Sequence, residues 1–87
     1  MSNISRPIFS PQDLGVSFRE NRRALQKTQD EIAGAVGCSR QAIIDLEAGR
    51  NVTMHTVIAA LAALGKGLKI MDARMDVDQI TEMFRDE

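Results

Sequence analysis

No part of this chain limits its fold as much as the stretch Thr28–Arg50, TQDEIAGAVGCSRQAIIDLEAGR. Thr28 followed three residues later by Glu31 is a capping pair, in which each side chain accepts the other residue's backbone N–H and so opens a helix. Ile32 and Val36 then share one face, and Ala33 beside them leaves room for a close neighbour. Gly37 suits the left-handed backbone that stops a helix, and Ser39 is placed to cap a second one that Gly49 closes. On that second helix Ile43, Leu46 and Glu47 fall on one side and Arg40, Gln41, Ile44 and Asp45 on the other. The spacing therefore predicts two short helices joined by a tight turn, the second holding a polar face out from the body.

A helix presented this way fits the major groove of duplex DNA, where base edges carry a distinct donor and acceptor pattern. Arg40 has two parallel donors for guanine O6 and N7, Gln41 a donor and acceptor for adenine N6 and N7, and Ile44 an apolar surface for a thymine methyl. Asp45 accepts either from cytosine N4 or from Gln41 four residues back. Gln29 near a helix N-terminus, Ser39 and Arg50 are placed to hold phosphate. Each of these side chains alone is as well explained as an ordinary exposed polar residue. Their convergence on one face, behind a capped helix and a tight turn, favours DNA.

Charge at first argues the other way: the 87 residues carry a formal net charge of −1 and a pI near 5.8. The distribution is uneven. Nine cations against six anions through Met71 leave +3, whereas Asp72 to Glu87 carries two cations and six anions, −4. A mildly basic body with an acidic tail permits DNA binding without requiring it. A chain of 87 residues suits one small domain, in which oligomerisation would add buried area. Apolar content of 44% and charged content of 26% are those of a folded protein, and with no Trp or Tyr its core must be mostly aliphatic. No run is long enough for a membrane span, the opening MSNISRPIF lacks a signal-peptide layout, and one cysteine fits a reducing cytoplasm.

In chain order, residues 1–9 have no periodic pattern and read as a loose arm. Ser10-Pro11 with Asp13 opens a first helix through about Gln26, with Leu14, Phe18 and Leu25 on one stripe. Arg22 lies on that inward stripe, and Glu47 is its expected partner in a partly buried ion pair; the alternative is two solvated charges. Thr53 or Thr56 caps a further helix with Met54, Val57, Ile58, Leu61 and Leu64 as its apolar face, ended by Gly65 and Gly67. Leu68, Lys69, Ile70 and Met71 alternate as one short strand. A lone strand needs a partner, which a second copy across a dimer axis supplies; a coil packed on the fourth helix is the other reading. The tail places Val77, Ile80, Met83 and Phe84 at helical spacing among acids, either a docked amphipathic helix or a segment that orders on a partner. The expected architecture is all-α: a four- to five-helix domain over residues 10–67, a dimerisation strand at 68–72 and an acidic tail at 73–87.

Thr28-Gln29-x-Glu31-Ile32-Ala33-x-x-Val36-Gly37, followed by Ser39 to Gly49 with Ile43, Leu46 and Glu47, resembles the phage-repressor (Xre/Cro-like) helix-turn-helix domain. The resemblance runs from about Leu14 to Leu64. It implies base contacts from Arg40, Gln41 and Asp45, a phosphate contact from Gln29 and a buried pair between Arg22 and Glu47. The outer layout is similar to the HipB-type antitoxins: the Ser10-Pro11 opening, the Thr-rich start of the fourth helix, and the strand Leu68–Met71 followed by Asp72-Ala73-Arg74. That likeness implies a homodimer on inverted-repeat operator DNA, autorepression of its operon and binding of a HipA-type serine/threonine kinase toxin. The sequence departs from the pattern where Gln26-Lys27 replaces a glycine-plus-apolar pair, and where the tail ends in charges.

Catalysis is the weakest reading. His55 and Cys38 are the only residues of their kinds, lie in different segments and lack a third orienting group. Cys38 fits a small packing residue better than a redox sensor. Nothing forms a metal-ligand cluster, and no cofactor, small-molecule substrate or membrane partner is expected. The competing class is a protein-interaction module that keeps the fold and has lost DNA binding, and a stand-alone repressor without a toxin is a third possibility.

Overall fold

The computed structural model describes residues 7–72, which form four helices: α1 (Pro11–Ala24), α2 (Gln29–Val36), α3 (Arg40–Ala48) and α4 (Met54–Ala63). Each begins at a hydroxyl cap. Ser10 Oγ accepts the Asp13 N–H at 3.0 Å, Ser39 Oγ that of Ala42 at 3.1 Å, and Thr53 rather than Thr56 caps α4, accepting the Thr56 N–H at 3.1 Å. Thr28 and Glu31 form the full reciprocal box, at 3.0 and 2.7 Å. These bonds satisfy N–H groups that a helix start leaves without partners.

Each helix also ends alike, on a left-handed residue just past its last turn: Gln26 (φ 59), Gly37 (φ 83), Gly49 (φ 78) and Gly65 (φ 72). After α1 the Lys27 N–H reaches the Arg22 carbonyl and the Gln26 N–H that of Arg23, the Schellman arrangement; α3 and α4 close the same way. Gln26 thus takes the conformation a glycine adopts more easily, so the α1–α2 turn keeps its shape without glycine, against a left-handed penalty of roughly 1 kcal/mol.

α3 is the central rod: it packs on α1, α2 and α4, and α2 also packs on α4. Phe18, Ile32 and Ile43 are the largest fully buried side chains, joined by Ala33, Leu46, Val57, Ala60, Leu61 and Leu64. The crossing of α1 over α3 depends on Gly15. A Cβ there would run into the Glu47 carbonyl oxygen and lie 2.7 Å from that of Leu46. Both are backbone atoms, so a side chain at 15 would push the helices apart.

Three sequence expectations need correction. Leu25 is not on the inward stripe of α1: it follows the last helical residue and is 46% exposed. Met54 and Ile58 are likewise exposed, at 66% and 46%, because α4 turns Val57, Ala60, Leu61 and Leu64 toward the core. Ala60, completely buried, lets α4 sit close, and that rotates the apolar stripe away from Ile58. Finally, Leu68–Met71 are not a coil packed on α4, since Leu68, Ile70 and Met71 are exposed, and among the described residues they pair with no strand. The acidic tail (73–87) and most of the N-terminal arm (1–9) lie outside the described residues.

Candidate nucleic-acid interface

One buried polar cluster ties the three helices around the turn together. Arg22, 8% exposed, donates from Nε to Glu47 Oε2 at 2.6 Å and from Nη2 to Oε1 at 3.2 Å, a two-pronged pair between α1 and α3. Its Nη1 donates to the Lys27 carbonyl at 2.8 Å, fixing the α1–α2 turn. Gln29, at the first turn of α2, donates from Nε2 to Glu47 Oε1 at 3.1 Å. A bidentate guanidinium–carboxylate pair is strongly directional, so these bonds fix how α3 is rotated against α1 and α2. The expected Arg22–Glu47 pair is present, and it reaches further than expected by holding Gln29.

That rotation turns Ile43 and Leu46 inward and Arg40 and Gln41 outward; Ile44 and Asp45 are half-buried on the flank between. The outward residues bond to one another. Asp45 Oδ1 accepts from Gln41 Nε2 and from Arg50 Nε, both at 2.9 Å. The hydrogen bonds from Gln41 and then Arg50 hold the Asp45 carboxyl below its ordinary acid value. Arg40 lies 3.5 Å from Gln29 Oε1 and 3.9 Å from Asp30, with 60% of its side chain exposed, so it stays open to a ligand. Ser39 accepts the α3 cap bond on one oxygen lone pair, which leaves its hydroxyl proton to donate outward. Gln29 is half-buried but keeps one amide hydrogen free of the Glu47 bond.

The predicted base-facing residues Arg40, Gln41, Ile44 and Asp45 therefore occupy one continuous surface, with Gln29 and Ser39 at one end and Arg50 at the other. Two features went unread in the sequence. Gly15 sits mid-helix, where glycine costs about 1 kcal/mol against alanine, and such a residue signals close packing. Arg19 and Arg23 line a shallow groove with Gln29 and Ile44, beside the outward face of α3. Elsewhere, Cys38 packs half-buried against the core and His55 is exposed. Among the described residues no helix is long and apolar enough to cross a membrane.

A short capped helix, a left-handed turn and a second helix with its polar side exposed define a helix-turn-helix DNA-binding protein. The chain belongs to the helix-turn-helix family, whose pattern it matches over residues 18–70. It is 33% identical over 69 residues to the uncharacterised HTH-type transcriptional regulator y4mF of Sinorhizobium fredii (strain NBRC 101917 / NGR234), covering 78% of this chain and 91% of that one. Among solved structures it is similar to a chain of a HipB-O4 20mer complex, with a TM-score of 0.75 and 27% identity over 80% of this chain and all of that one. A chain of a HipA-HipB-O2-O3 complex gives a TM-score of 0.75 and 25% identity, with the same coverage.

Proposed function

We propose that this helix-turn-helix DNA-binding transcriptional regulator is a sequence-specific repressor. In this reading it binds an inverted-repeat operator in duplex DNA as a homodimer, one α3 in the major groove of each half-site. The observation that carries the reading is the outward face of α3. Arg40 and Gln41 are exposed on a rod whose rotation is set by the buried Arg22–Glu47–Gln29 cluster. Arg40 and Gln41 read base edges, Ile44 meets a thymine methyl, and Gln29, Ser39 and Arg50 hold phosphate. Asp45 orients Gln41 and Arg50 through Oδ1, which leaves Oδ2 to accept from cytosine N4. Dimerisation is supported by the apolar side chains left exposed at Met54, Ile58, Leu68, Ile70 and Met71, with Leu68–Met71 as the strand that pairs across the two-fold. Likeness to HipB chains, one of them in a complex with HipA, supports a cytoplasmic antitoxin that represses its own operon and binds a HipA-type serine/threonine kinase.

Duplex binding measured against salt tests the first claim. Half-sites about 34 Å apart should bind tightly, and Arg40→Ala should lose roughly 1–3 kcal/mol and relax one base position. Equal weak binding of every sequence by both proteins would mean that this fold serves protein contacts alone. Removing residues 73–87 separates antitoxin from simple repressor: DNA affinity persists while affinity for the kinase falls. A chain that binds no kinase in either form is a stand-alone repressor.

A further inference from the structure

We propose that Arg19 and Arg23 of α1 form an additional phosphate-contacting site beside the reading helix, so that the DNA footprint extends onto the first helix. This rests on the reading of α3 as the duplex-binding element, and it adds a surface that reading does not use. The two arginines stand one helical turn apart and line one wall of the groove whose other walls carry Gln29 of α2 and Ile44 of α3. The groove is shallow and open, which suits an extended polyanion running past it better than an enclosed small ligand.

Charge in this groove is selective. Glu47 also lines it, but its carboxylate is taken up by Arg22 and Gln29, and those two bonds to Arg22 spend that guanidinium as well. Arg19 and Arg23 are exposed and have no ion pair or side-chain hydrogen bond among the described residues, so theirs is the charge left for a ligand. Glu20 does not line this groove; it shares the adjoining one with Val16, Arg19, Arg23 and Glu47, and among the described residues no ion pair joins it to either arginine. A duplex major groove is about 12 Å wide and flanked by phosphates, so an element lying alongside the helix inside it meets the backbone. Side chains four apart on a helix have Cβ atoms about 5–6 Å apart, which presents the two guanidinium groups to one strand as a pair. Such contacts add affinity and register but no base preference.

The test compares the full chain with Arg19→Gln/Arg23→Gln and with Arg40→Ala, titrating an inverted-repeat duplex and an unrelated duplex between about 50 and 200 mM salt. The double variant should weaken binding to both duplexes by the same factor and lower the slope of log affinity against log salt by about 1.8, since each phosphate contact contributes about 0.9. Arg19→Lys/Arg23→Lys should restore most of the slope, which a merely structural role for the arginines would not produce. Arg40→Ala should instead change the ratio between the duplexes. A folded double variant with the parent's slope and affinity overturns the α1 site and leaves the α3 reading intact. A parent chain with no salt-dependent duplex binding overturns both.

Discussion

At the junction of α1, α2 and α3 the buried polar groups answer one another, whereas the outer side of α4 and the segment after it leave apolar groups in solvent. Arg22 bonds to Glu47 and to the Lys27 carbonyl, and among the described residues no buried side-chain nitrogen or oxygen lacks a partner. On the other side Met54, Ile58 and Ile70 are exposed, Ile70 completely. Directional bonds specify one rotation of α3, which is what a surface meant to match base edges requires. Apolar contact specifies little about angle but adds free energy with area, which suits a surface waiting for a second copy. One region is closed within the chain, and the other leaves the apolar face that the proposed homodimer would cover.

Four experiments probe this contrast. The largest effect should come from Arg22→Ala, which leaves Glu47 buried without its counter-charge and should cost about 3–5 kcal/mol in urea unfolding. Replacing both partners with apolar residues of similar size should recover most of that loss. An Arg22→Ala protein with unchanged melting would mean the cluster specifies nothing. Next, Gly15→Ala should destabilise by about 1–3 kcal/mol, because the added methyl meets backbone carbonyls that move only if α1 leaves α3. On the incomplete side, Ile58→Lys with Ile70→Lys should leave the unfolding free energy of the dilute monomer within about 0.5 kcal/mol. Sedimentation should show the dimer lost. Unchanged assembly would place the second copy elsewhere.

The smallest effect is in acid. The hydrogen bond from the Thr28 backbone N–H holds the Glu31 carboxyl below its ordinary value, as those from Gln41 and Arg50 hold Asp45. Both are depressed in the folded chain, so their contribution is present above the unfolded values, about 4.3 for Glu and 3.9 for Asp, and is lost as pH falls through the folded ones. The urea midpoint should therefore drop in that acid window, and Glu31→Gln should flatten part of the drop. Identical profiles for the two proteins would show that the capping carboxylate carries no such linkage.

Local signals in the chain were easy to read because their partners sit three to five residues away. Ser10, Thr28 with Glu31, and Ser39 cap as their positions imply, Thr53 is the one of two candidates that caps α4, and Gly37 turns the chain as expected. Arg22 with Glu47 was legible over a longer range, since an arginine on an inward stripe needs a counter-charge and one carboxylate pointed the right way. The polar face of α3 follows from the same periodicity, as does the grouping of Arg40, Gln41, Ile44 and Asp45. Less accessible was Gln26, whose left-handed backbone is imposed by the bonds that close α1. The outward position of Ile58 was also hidden, because Leu61 and Ala60 compete with it for the same wall.

The amino-acid sequence by itself determined where α1, α2 and α3 start, where α2 and α3 stop, which side of α3 is polar, and that a buried charge would need its mate. Those outcomes depend on spacing along one chain, where hydrogen bonds to near neighbours and the 3.6-residue repeat leave few choices. Only the tertiary structure decided that α1 touches α3 backbone to backbone at Gly15, that Glu47 also anchors Gln29, and that Arg19 and Arg23 flank Ile44. These are crossings between separate helices, and their angle comes from all the side chains packed between them at once.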